Sequence, residues 1–292
     1  MTRVAFLINA YRSPIQVERL VRTLSHAEGT AFLIHLDRKS GPQIEAELRA
    51  SLADLDNVHF TARKRVYWGR FSVVAASLRG LEAIDEIGLD PDQTVLLSGQ
   101  DYPIKSPDEI AGFLSAHAGD AFIEHFPIPS LEHWPVQRGG LDRIEFVHLW
   151  IPRRGPSRLP IRRIAKLGVK PYGGSAHLAL GREHRRYVAD LVRDQRKLVR
   201  FFRLADVPDE LFFQTVLMNS PLRDRVINDN LFDLHFEPGA NHPTLLTSED
   251  LPRLADSAAL FARKFDSEKH PAVLDLLDSQ LLGGPARSTA HR

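Results

Sequence analysis

Two short segments in the C-terminal third of the chain combine residue types suited to acid–base and anion chemistry. In the first, Asp209 and Glu210 come directly before the apolar, helix-patterned segment 211–217. Acidic side chains in the first turn of a helix usually complement the helix dipole and do no more. The same dipole also favours an ionised carboxylate, which is the state that a general base needs. Both interpretations of Glu210 therefore stay open.

The second segment places two adjacent cations, Arg263 and Lys264, inside the apolar stretch 260–266. An unpaired charge among apolar residues is costly, so both side chains require an anionic partner. A structural carboxylate would suffice, and a diphosphate would fit as well.

Three polar clusters, at residues 9–12, 37–39 and 98–101, each follow a short apolar run. The runs alternate with helix-patterned segments, which predicts an α/β fold with a mostly parallel central sheet and helices on both faces. Ligands of such sheets bind outside the carboxyl ends of the strands. The clusters are therefore candidate binding loops, unless they are only the polar loops in which strands end.

The strands of this predicted sheet lie at 4–8, 31–36, 58–60, 94–97 and 121–123. We expect the first helix to use Ser13 as its N-cap and Pro14 as its first residue, and to end at Gly29. Ser106 and Glu109 form a capping-box pattern at the start of a later helix. Ser72 is expected to open the helix between them, and residues 170–175 to form a tight turn.

Several cofactor and metal motifs are absent from the sequence. It contains no G-x-G-x-x-G, Walker A, G-x-S-x-G or H-E-x-x-H pattern, which argues against a dinucleotide cofactor, a P-loop, an esterase elbow and a zincin site. The Asp-x-Asp triplets at 54–56 and 90–92 precede strands and are expected to be turn residues. Asp101 alone offers fewer carboxylates than a hard cation requires. We therefore predict no metal and no cofactor, with Lys or Arg neutralising any bound diphosphate.

The amino-acid composition argues against several classes of protein. The chain has 38 basic and 37 acidic residues, so its net charge of +1 argues against a nucleic-acid partner. The absence of cysteine excludes disulfides and thiolate metal sites. No apolar run approaches the roughly 20 residues that span a bilayer, and we expect a soluble, cytoplasmic protein. The tail, 283–292, is predicted to be disordered.

The segment 153–170 is strongly basic, and no acidic residue occurs between positions 151 and 182. One interpretation is a solvated basic loop. The other is a rim that attracts an anionic donor, an acidic acceptor or a membrane surface, which would allow peripheral contact with the inner face of a membrane.

Six blocks of sequence occur in an order that is typical of one enzyme family. They are FLIHLD (32–37), VYWGRFSVV (66–74), LSGQDYPIKS (97–106), YGGSAHLAL (172–180), VPDELFFQTVL (207–217), and EDLPRL (249–254) with LFARKFD (260–266). In these blocks the chain resembles the core-2/I-branching glycosyltransferases, glycosyltransferase family 14, which include β-1,6-N-acetylglucosaminyltransferases and peptide O-xylosyltransferases. The last block is more similar to the xylosyltransferase branch.

The resemblance implies a GT-A fold and an inverting, metal-independent transfer from a UDP-sugar. It assigns the general base to Glu210 and the contact to the donor phosphates to Lys264. A second family arginine has no equivalent, because Asn241 or His242 occupies its place. Arg263 is the expected substitute.

The resemblance also implies further binding residues. It places a uracil contact at Asp37 and an aromatic contact at Trp68. The remaining donor candidates are Asn9, Asp101 and Ser175. The acceptor candidates are Glu132, Trp134, Arg143, Tyr172 and His177.

The family pattern divides the chain into a nucleotide-sugar-binding half, 1–126, and an acceptor-binding and catalytic half, 127–282. GlcNAc, xylose and glucuronate are all plausible donor sugars, and the acceptor is a glycan or a small molecule. The absence of an anchor and of disulfides is typical of a bacterial member. Two alternatives stay open: a nucleotide-sugar-binding protein without transfer activity, and a nucleotide-sugar hydrolase. The changed arginine and His177 favour the first alternative.

Overall fold

The structure is a computed structural model that describes residues 3–151, 155–237, 239–240 and 242–283. Its strands are β1 (Val4–Ala10), β2 (Thr30–Leu36), β3 (Val58–Phe60), β4 (Gln93–Ser98), β5 (Asp101–Pro103), β6 (Ala121–Ile123), β7 (Phe126–Pro127), β8 (Phe146–Ile151), β9 (Gly155–Arg162), β10 (Tyr172–Gly173), β11 (Leu178–Gly181), β12 (Val226–Ile227), β13 (Phe232–Leu234) and β14 (Phe261–Arg263). Its helices are α1 (Pro14–Leu24), α2 (Pro42–Ser51), α3 (Phe71–Glu86), α4 (Pro107–Ala116), α5 (Asp142–Glu145), α6 (Arg182–Asp194), α7 (Arg196–Phe202), α8 (Phe212–Met218), α9 (Leu251–Asp256) and α10 (Pro271–Gln280).

The chain forms two compact units that interleave along the sequence. Unit 1 comprises Met1–Arg63, Pro91–Ala118 and Leu231–Arg292, and unit 2 comprises Lys64–Asp90 and Gly119–Asn230. The functional division into 1–126 and 127–282 stays a prediction. Residues 284–292 of the predicted tail lie outside the described residues.

A parallel sheet with the strand order β4–β1–β2–β3 forms the centre of unit 1. Val4 lies opposite Thr30 on one side and Gln93 on the other, and Phe32 lies opposite Val58. All seven residues of β2 are buried, as expected for a strand that is covered on both faces. The predicted α/β class with a mostly parallel sheet is confirmed.

The helix boundaries agree only partly with the predictions. The capping box of Ser106 and Glu109 at the start of α4 is present. Ser13 precedes α1 but makes no capping hydrogen bond, because its hydroxyl instead donates to Glu268 Oε1 at 2.7 Å. The expected end of α1 at Gly29 was wrong, since α1 ends at Leu24 and Gly29 turns the chain into β2 with φ +74°.

A second, three-stranded sheet in unit 1 has the order β13–β14–β5. Its antiparallel β14–β5 pair places Arg263 opposite Asp101. Phe261 of β14 packs edge-on against Phe6 of β1, with 6.4 Å between the ring centroids. This aromatic contact ties the strand that carries Arg263 to the parallel sheet.

Helix α10 is attached to unit 1 by a buried polar network. Asp278 accepts hydrogen bonds from the Tyr102 hydroxyl and from Arg19 Nη2, each at 2.7 Å. Tyr102 is fully buried, and its burial and the neighbouring Asp278 raise the pKa of its phenol. The C-terminal helix is therefore bound to β5 and to α1.

Unit 2 contains three groups of paired strands. Strand β6 pairs antiparallel with β11 and parallel with β12, while β7 pairs with β10 and β8 with β9. Part of the 127–181 segment shows little periodicity in sequence because β7 and β10 have two residues each and pair with each other from distant positions. The tight turn predicted at 170–175 was wrong, since Tyr172 and Gly173 form β10.

Helix α8 forms the aromatic core of unit 2. The ring of Phe212 lies edge-on to Phe71, Phe202 and Phe213, with centroid distances of 5.8, 5.4 and 5.3 Å. This packing fixes the preceding 3-10 turn, Pro208–Glu210. Among the helices of the described ranges, none is long and apolar enough to cross a membrane.

Candidate active site

The polar clusters after β1, β2 and β4 meet at one edge of the parallel sheet in unit 1. Asn9 lies in register with His35 of β2 and with Ser98 of β4. The Tyr11 hydroxyl donates to Gln100 Oε1 at 3.1 Å, and Ser40 Oγ donates to the Tyr11 carbonyl at 2.6 Å. Since parallel strands end at the same edge, the three loops form one polar surface.

Asp37, the predicted uracil contact, lies in the loop after β2 and is 5% exposed. Its Oδ1 accepts the backbone N–H of Lys39 at 2.8 Å, and its Oδ2 lies 3.4 Å from Lys39 Nζ. Arg63 Nη2 donates to the Asp37 carbonyl at 2.9 Å. The loop therefore holds the Asp37 backbone and carboxylate in a fixed position.

Asp101, a predicted donor contact, is a buried partner of Ser98 and Arg263. Its Oδ2 accepts the Ser98 N–H and its Oδ1 the Ser98 hydroxyl, each at 2.7 Å. Arg263 Nη1 donates to Asp101 Oδ1 at 2.9 Å and to Ser98 Oγ at 2.6 Å. Because Asp101 is fully buried, its carboxylate orients Arg263 rather than facing solvent. The anionic partner expected for Arg263 is thus a structural carboxylate.

The neighbouring Lys264 has a different environment. Its ammonium makes no hydrogen bond or ion pair with any residue that the structure describes, although the side chain is partly buried. Burial, followed by the positive charges of Arg263 and Arg12, lowers the pKa of Lys264. The expected anionic partner of Lys264 is therefore not supplied by the described protein, which suits a site for a bound anion.

Arg12 belongs to the same surface, and our sequence interpretation did not single it out. Its Nη2 lies 3.0 Å from Oδ2 of the buried Asp266, two residues after Lys264. The available signal was its place in the polar cluster directly after the first strand. Asn241, one of two residues at the place of the missing family arginine, lies outside the described residues. His242 is exposed.

In unit 2, Glu210 ends the 3-10 turn before α8. The turn is entered through Val207, which has φ +44°, an uncommon conformation for a β-branched residue. Burial raises the pKa of Glu210, Arg143 opposes this effect, and Glu124 and Asp206 add to it. Burial therefore opposes the ionised state that we expected a helix dipole to favour. The turn is not α-helical, and desolvation is the larger influence.

Arg143 and Trp134, two predicted acceptor contacts, lie beside Glu210. Arg143 Nη1 lies 2.5 Å from Glu210 Oε2, and Arg143 Nε donates to Gln137 Oε1 at 2.7 Å. The guanidinium lies over the Trp134 ring, 4.0 Å from its centroid. About a third of the Glu210 side chain stays exposed. The carboxylate is thus held in place and still accessible.

Glycines make room for this arrangement. A Cβ on Gly140 would lie 2.2 Å from the Trp134 ring, and one on Gly173 would lie 2.6 Å from it. A Cβ on Gly174 would lie 1.8 Å from the carbonyl oxygen of Glu124, while the Gly174 N–H donates to the Glu210 carbonyl at 3.1 Å. The Gly-Gly pair of the fourth sequence block therefore lets the backbone pass between Trp134, Glu124 and Glu210.

The other predicted residues of unit 2 lie around these groups or on its surface. Ser175 Oγ accepts the His177 N–H at 3.2 Å and lies 3.1 Å from His177 Nδ1. The Tyr172 N–H donates to Thr215 Oγ1 of α8 at 3.1 Å. Glu132 is exposed, and Trp68 is 67% exposed. The functional roles of these residues stay predictions.

In the described part of the basic segment 153–170, several arginines form ion pairs or are buried, unlike the side chains of a solvated loop. Arg158 and Arg162 form ion pairs with Asp142 and with the buried Glu145, respectively. Arg163 is buried, lies over the Phe201 ring and donates to the Phe201 carbonyl at 2.6 Å. Arg153 and Arg154 lie outside the described residues. Membrane contact through this segment stays a hypothesis.

The Asp-x-Asp triplets lie where the sequence predicted them. Both precede strands, and Asp54 pairs with Arg22 at 2.9 Å, while Asp90 pairs with Arg186 at 3.0 Å. Among the residues described, no cluster of three His, Asp or Glu side chains could hold a metal ion.

Comparison with known proteins identifies relatives along nearly the whole chain. Xylosyltransferase 1 of Rattus norvegicus is 28% identical over 307 aligned positions, which cover 96% of this chain and 36% of that protein. Xylosyltransferase oxt of Drosophila melanogaster is 29% identical over 308 positions, with 96% and 34% covered. The chain thus spans about a third of the length of these relatives.

Among solved structures, a galactosyltransferase, LgtC, in complex with donor and acceptor sugar analogues aligns with a TM-score of 0.44 and 11% identity, covering 89% of this chain and 86% of that one. An active-site mutant of LgtC aligns with a TM-score of 0.45 and 10% identity over the same shares of the two chains. The family model of the core-2/I-branching enzymes matches residues 4–254. This chain therefore belongs to the core-2/I-branching enzyme family.

Proposed function

We propose that this protein is an inverting glycosyltransferase of the GT-A type, which moves a sugar from a UDP-sugar to a hydroxyl group of a glycan or other acceptor. The observation that carries the proposal is the environment of Glu210. Its carboxylate is partly desolvated, oriented by Arg143 and a third exposed. These are the properties of a general base that must meet an incoming hydroxyl group.

The reaction is a single displacement at the anomeric carbon. Glu210 accepts the proton of the acceptor hydroxyl as its oxygen forms a bond to that carbon. The bond from the carbon to the phosphate oxygen breaks on the opposite face, and the electron pair leaves with UDP. Because the donor and the acceptor oxygen lie on opposite faces, the anomeric configuration inverts.

Lys264 and Arg263 stabilise the charge that develops on the leaving diphosphate. Preorganised cations are effective in this role because they need no reorganisation during the reaction. Lys264 lacks a partner among the described residues, while Asp101 orients Arg263. In this mechanism the charge is neutralised without a metal, and the engagement of both Asp101 oxygens with Ser98 and Arg263 supports that part of the proposal.

UDP-xylose is the first donor to examine, because the relatives reported above are named xylosyltransferases. UDP-GlcNAc and UDP-glucuronate are the other donors that the family resemblance suggests. The residues that line the sugar pocket determine which of these donors binds. The assignment of those residues is part of the proposal.

A thermal-shift panel tests the donor site. The protein is melted with UDP, GDP, dTDP and CMP, and with the three UDP-sugars, each with and without EDTA. A ligand at about 100 times its Kd stabilises the folded state by about 2.7 kcal/mol. We expect a UDP-selective shift that survives EDTA. No shift with any uridine nucleotide, or a preference for another base, would contradict the proposal.

A further inference from the structure

The surface formed by Arg12, Arg263 and Lys264 in unit 1 carries more positive than negative charge. The two carboxylates that face these cations are Asp101 and Asp266, and each pairs with an arginine. Lys264 is left with no ion-pair partner among the described residues. The uncompensated charge is one positive unit. Burial, followed by the charges of Arg263 and Arg12, lowers the pKa of Lys264.

The position of Arg12 is fixed from several sides. Asp266 is 4% exposed and accepts Arg12 Nη2 at 3.0 Å, while its other oxygen accepts the Glu268 N–H at 3.2 Å. The adjacent Phe265 N–H donates to the Gln100 carbonyl at 2.9 Å, and Tyr11 binds the Gln100 side chain. The segments that carry Arg12 and Lys264 are therefore joined through Gln100 and Asp266.

The Arg12 guanidinium still has an unpaired hydrogen-bond donor. Its Nε is buried and makes no hydrogen bond within the described structure. A buried donor without a partner is costly, and a water molecule, an ion or another bound group can satisfy it. Its side chain is 36% exposed, so a ligand can reach the guanidinium.

We propose that Arg12 is a diphosphate-binding residue that acts together with Lys264 and takes the place of the family arginine that is missing at positions 241–242. The inference rests on the proposed UDP-sugar site and assigns a ligand contact to a different element, the loop after β1. The carboxylate of Asp266 orients Arg12 as that of Asp101 orients Arg263. Two oriented guanidiniums then act on the same ligand as one unpaired ammonium.

The test compares the affinity of the full chain for uridine, UMP and UDP by calorimetry. Arg12→Gln should weaken UDP binding by about 10-fold or more, which is the effect of losing a hydrogen bond to a charged group. The loss for UMP should be smaller, and uridine binding should be unchanged. Arg12→Lys, which keeps the charge but not the fork of donors, should give an intermediate loss.

Arg3→Gln is the matched control, since Arg3 is an exposed arginine at the opposite end of β1. It makes the same change in net charge and should bind all three ligands as the wild type does. Melting curves without ligand verify that each variant is folded, and glutamine can still donate to Asp266.

The outcomes separate the two proposals. A wild-type protein that binds no UDP contradicts the proposed function, and the role of Arg12 fails with it. A wild type that binds UDP, together with an Arg12→Gln variant that binds UDP equally well or loses uridine and UDP in equal proportion, overturns the role of Arg12 alone.

Discussion

The guanidinium of Arg143 and the carboxylate of Glu210 form an ion pair in unit 2, with 2.5 Å between Nη1 and Oε2. In the proposed mechanism this pair has two opposite effects, because Arg143 orients the carboxylate but also lowers its pKa. Burial works against Arg143 and raises the pKa of Glu210. The net effect is a pKa above that of an exposed glutamate, which suits the base that we propose.

This balance predicts the pH dependence of an Arg143→Gln variant. Glu210 acts as a base only when deprotonated, so the rate falls as the pH drops through its pKa. Removing Arg143 removes the influence that lowers this pKa, and the acidic limb of the kcat/KM profile should move to higher pH. Arg143→Lys should keep most of the wild-type profile, and Arg200→Gln, on an exposed side chain of α7, should keep all of it. An unshifted acidic limb in Arg143→Gln would contradict the coupling.

Lys264 should contribute to ligand binding and little to stability. Because its ammonium has no partner in the described structure and its pKa is lowered by burial, Lys264→Gln should leave the ligand-free melting temperature unchanged or raise it. The same variant should weaken UDP binding by about 10- to 100-fold. Lys197→Gln, an exposed lysine of α7, should change neither quantity. A large loss of ligand-free stability in Lys264→Gln would show a structural role instead.

Asp101, unlike Lys264, should contribute strongly to the stability of the ligand-free protein. Its carboxylate is fully buried and pairs with Arg263, and breaking a buried ion pair costs about 3 kcal/mol or more. Asp101→Asn should therefore lower the free energy of unfolding in denaturant melts and weaken UDP binding through the misplaced Arg263. An Asp101→Asn variant with normal stability and selectively lost sugar discrimination would instead indicate direct contact with the donor sugar.

Gly174 should tolerate no side chain. A Cβ there would lie 1.8 Å from the Glu124 carbonyl oxygen, so Gly174→Ala should destabilise the protein by about 1–3 kcal/mol and displace Glu210. Gly112 is the matched control, because it lies within α4 with open space around it. Gly112→Ala should stabilise the fold by roughly 0.5–1 kcal/mol. Equal melting temperatures for the two variants would contradict the packing described here.

Local patterns in the sequence predicted the parts of the fold that depend on local physics. The apolar runs of β1 and β2 and the capping box of α4 are of this kind. The pairing of β7 with β10 and of β6 with β11 depends on contacts between distant segments, which a weak local pattern does not indicate. Ser13 illustrates the difference, since its expected capping bond is replaced by one to Glu268, which lies 255 positions away.

The candidate site likewise has features that local sequence patterns do not predict. Glu210 and Lys264 were identifiable from residue type and family motif, and their roles stay predictions. The sign of the pKa shift of Glu210 was not predictable, because it depends on burial and on Glu124 and Arg143 from other segments. Arg12 could be recognised only after the structure placed Asp266 beside it.

Chelation tests the proposal that the charge of the leaving diphosphate is neutralised by cations of the protein. The transfer rate should be unchanged after dialysis against EDTA and after subsequent addition of Mg²⁺ or Mn²⁺. A strong loss that a divalent cation restores would assign a metal-binding role to Asp101 or another carboxylate.

The most direct test of the central claim compares Glu210→Gln with the wild type in transfer from the UDP-sugar that binds most tightly. Removing a general base typically lowers the rate by about 10²- to 10⁴-fold. We predict a loss of this size with unchanged Kd for UDP, while Glu183→Gln, an exposed glutamate of α6, keeps full activity. A Glu210→Gln variant that transfers sugar at the wild-type rate would contradict the account.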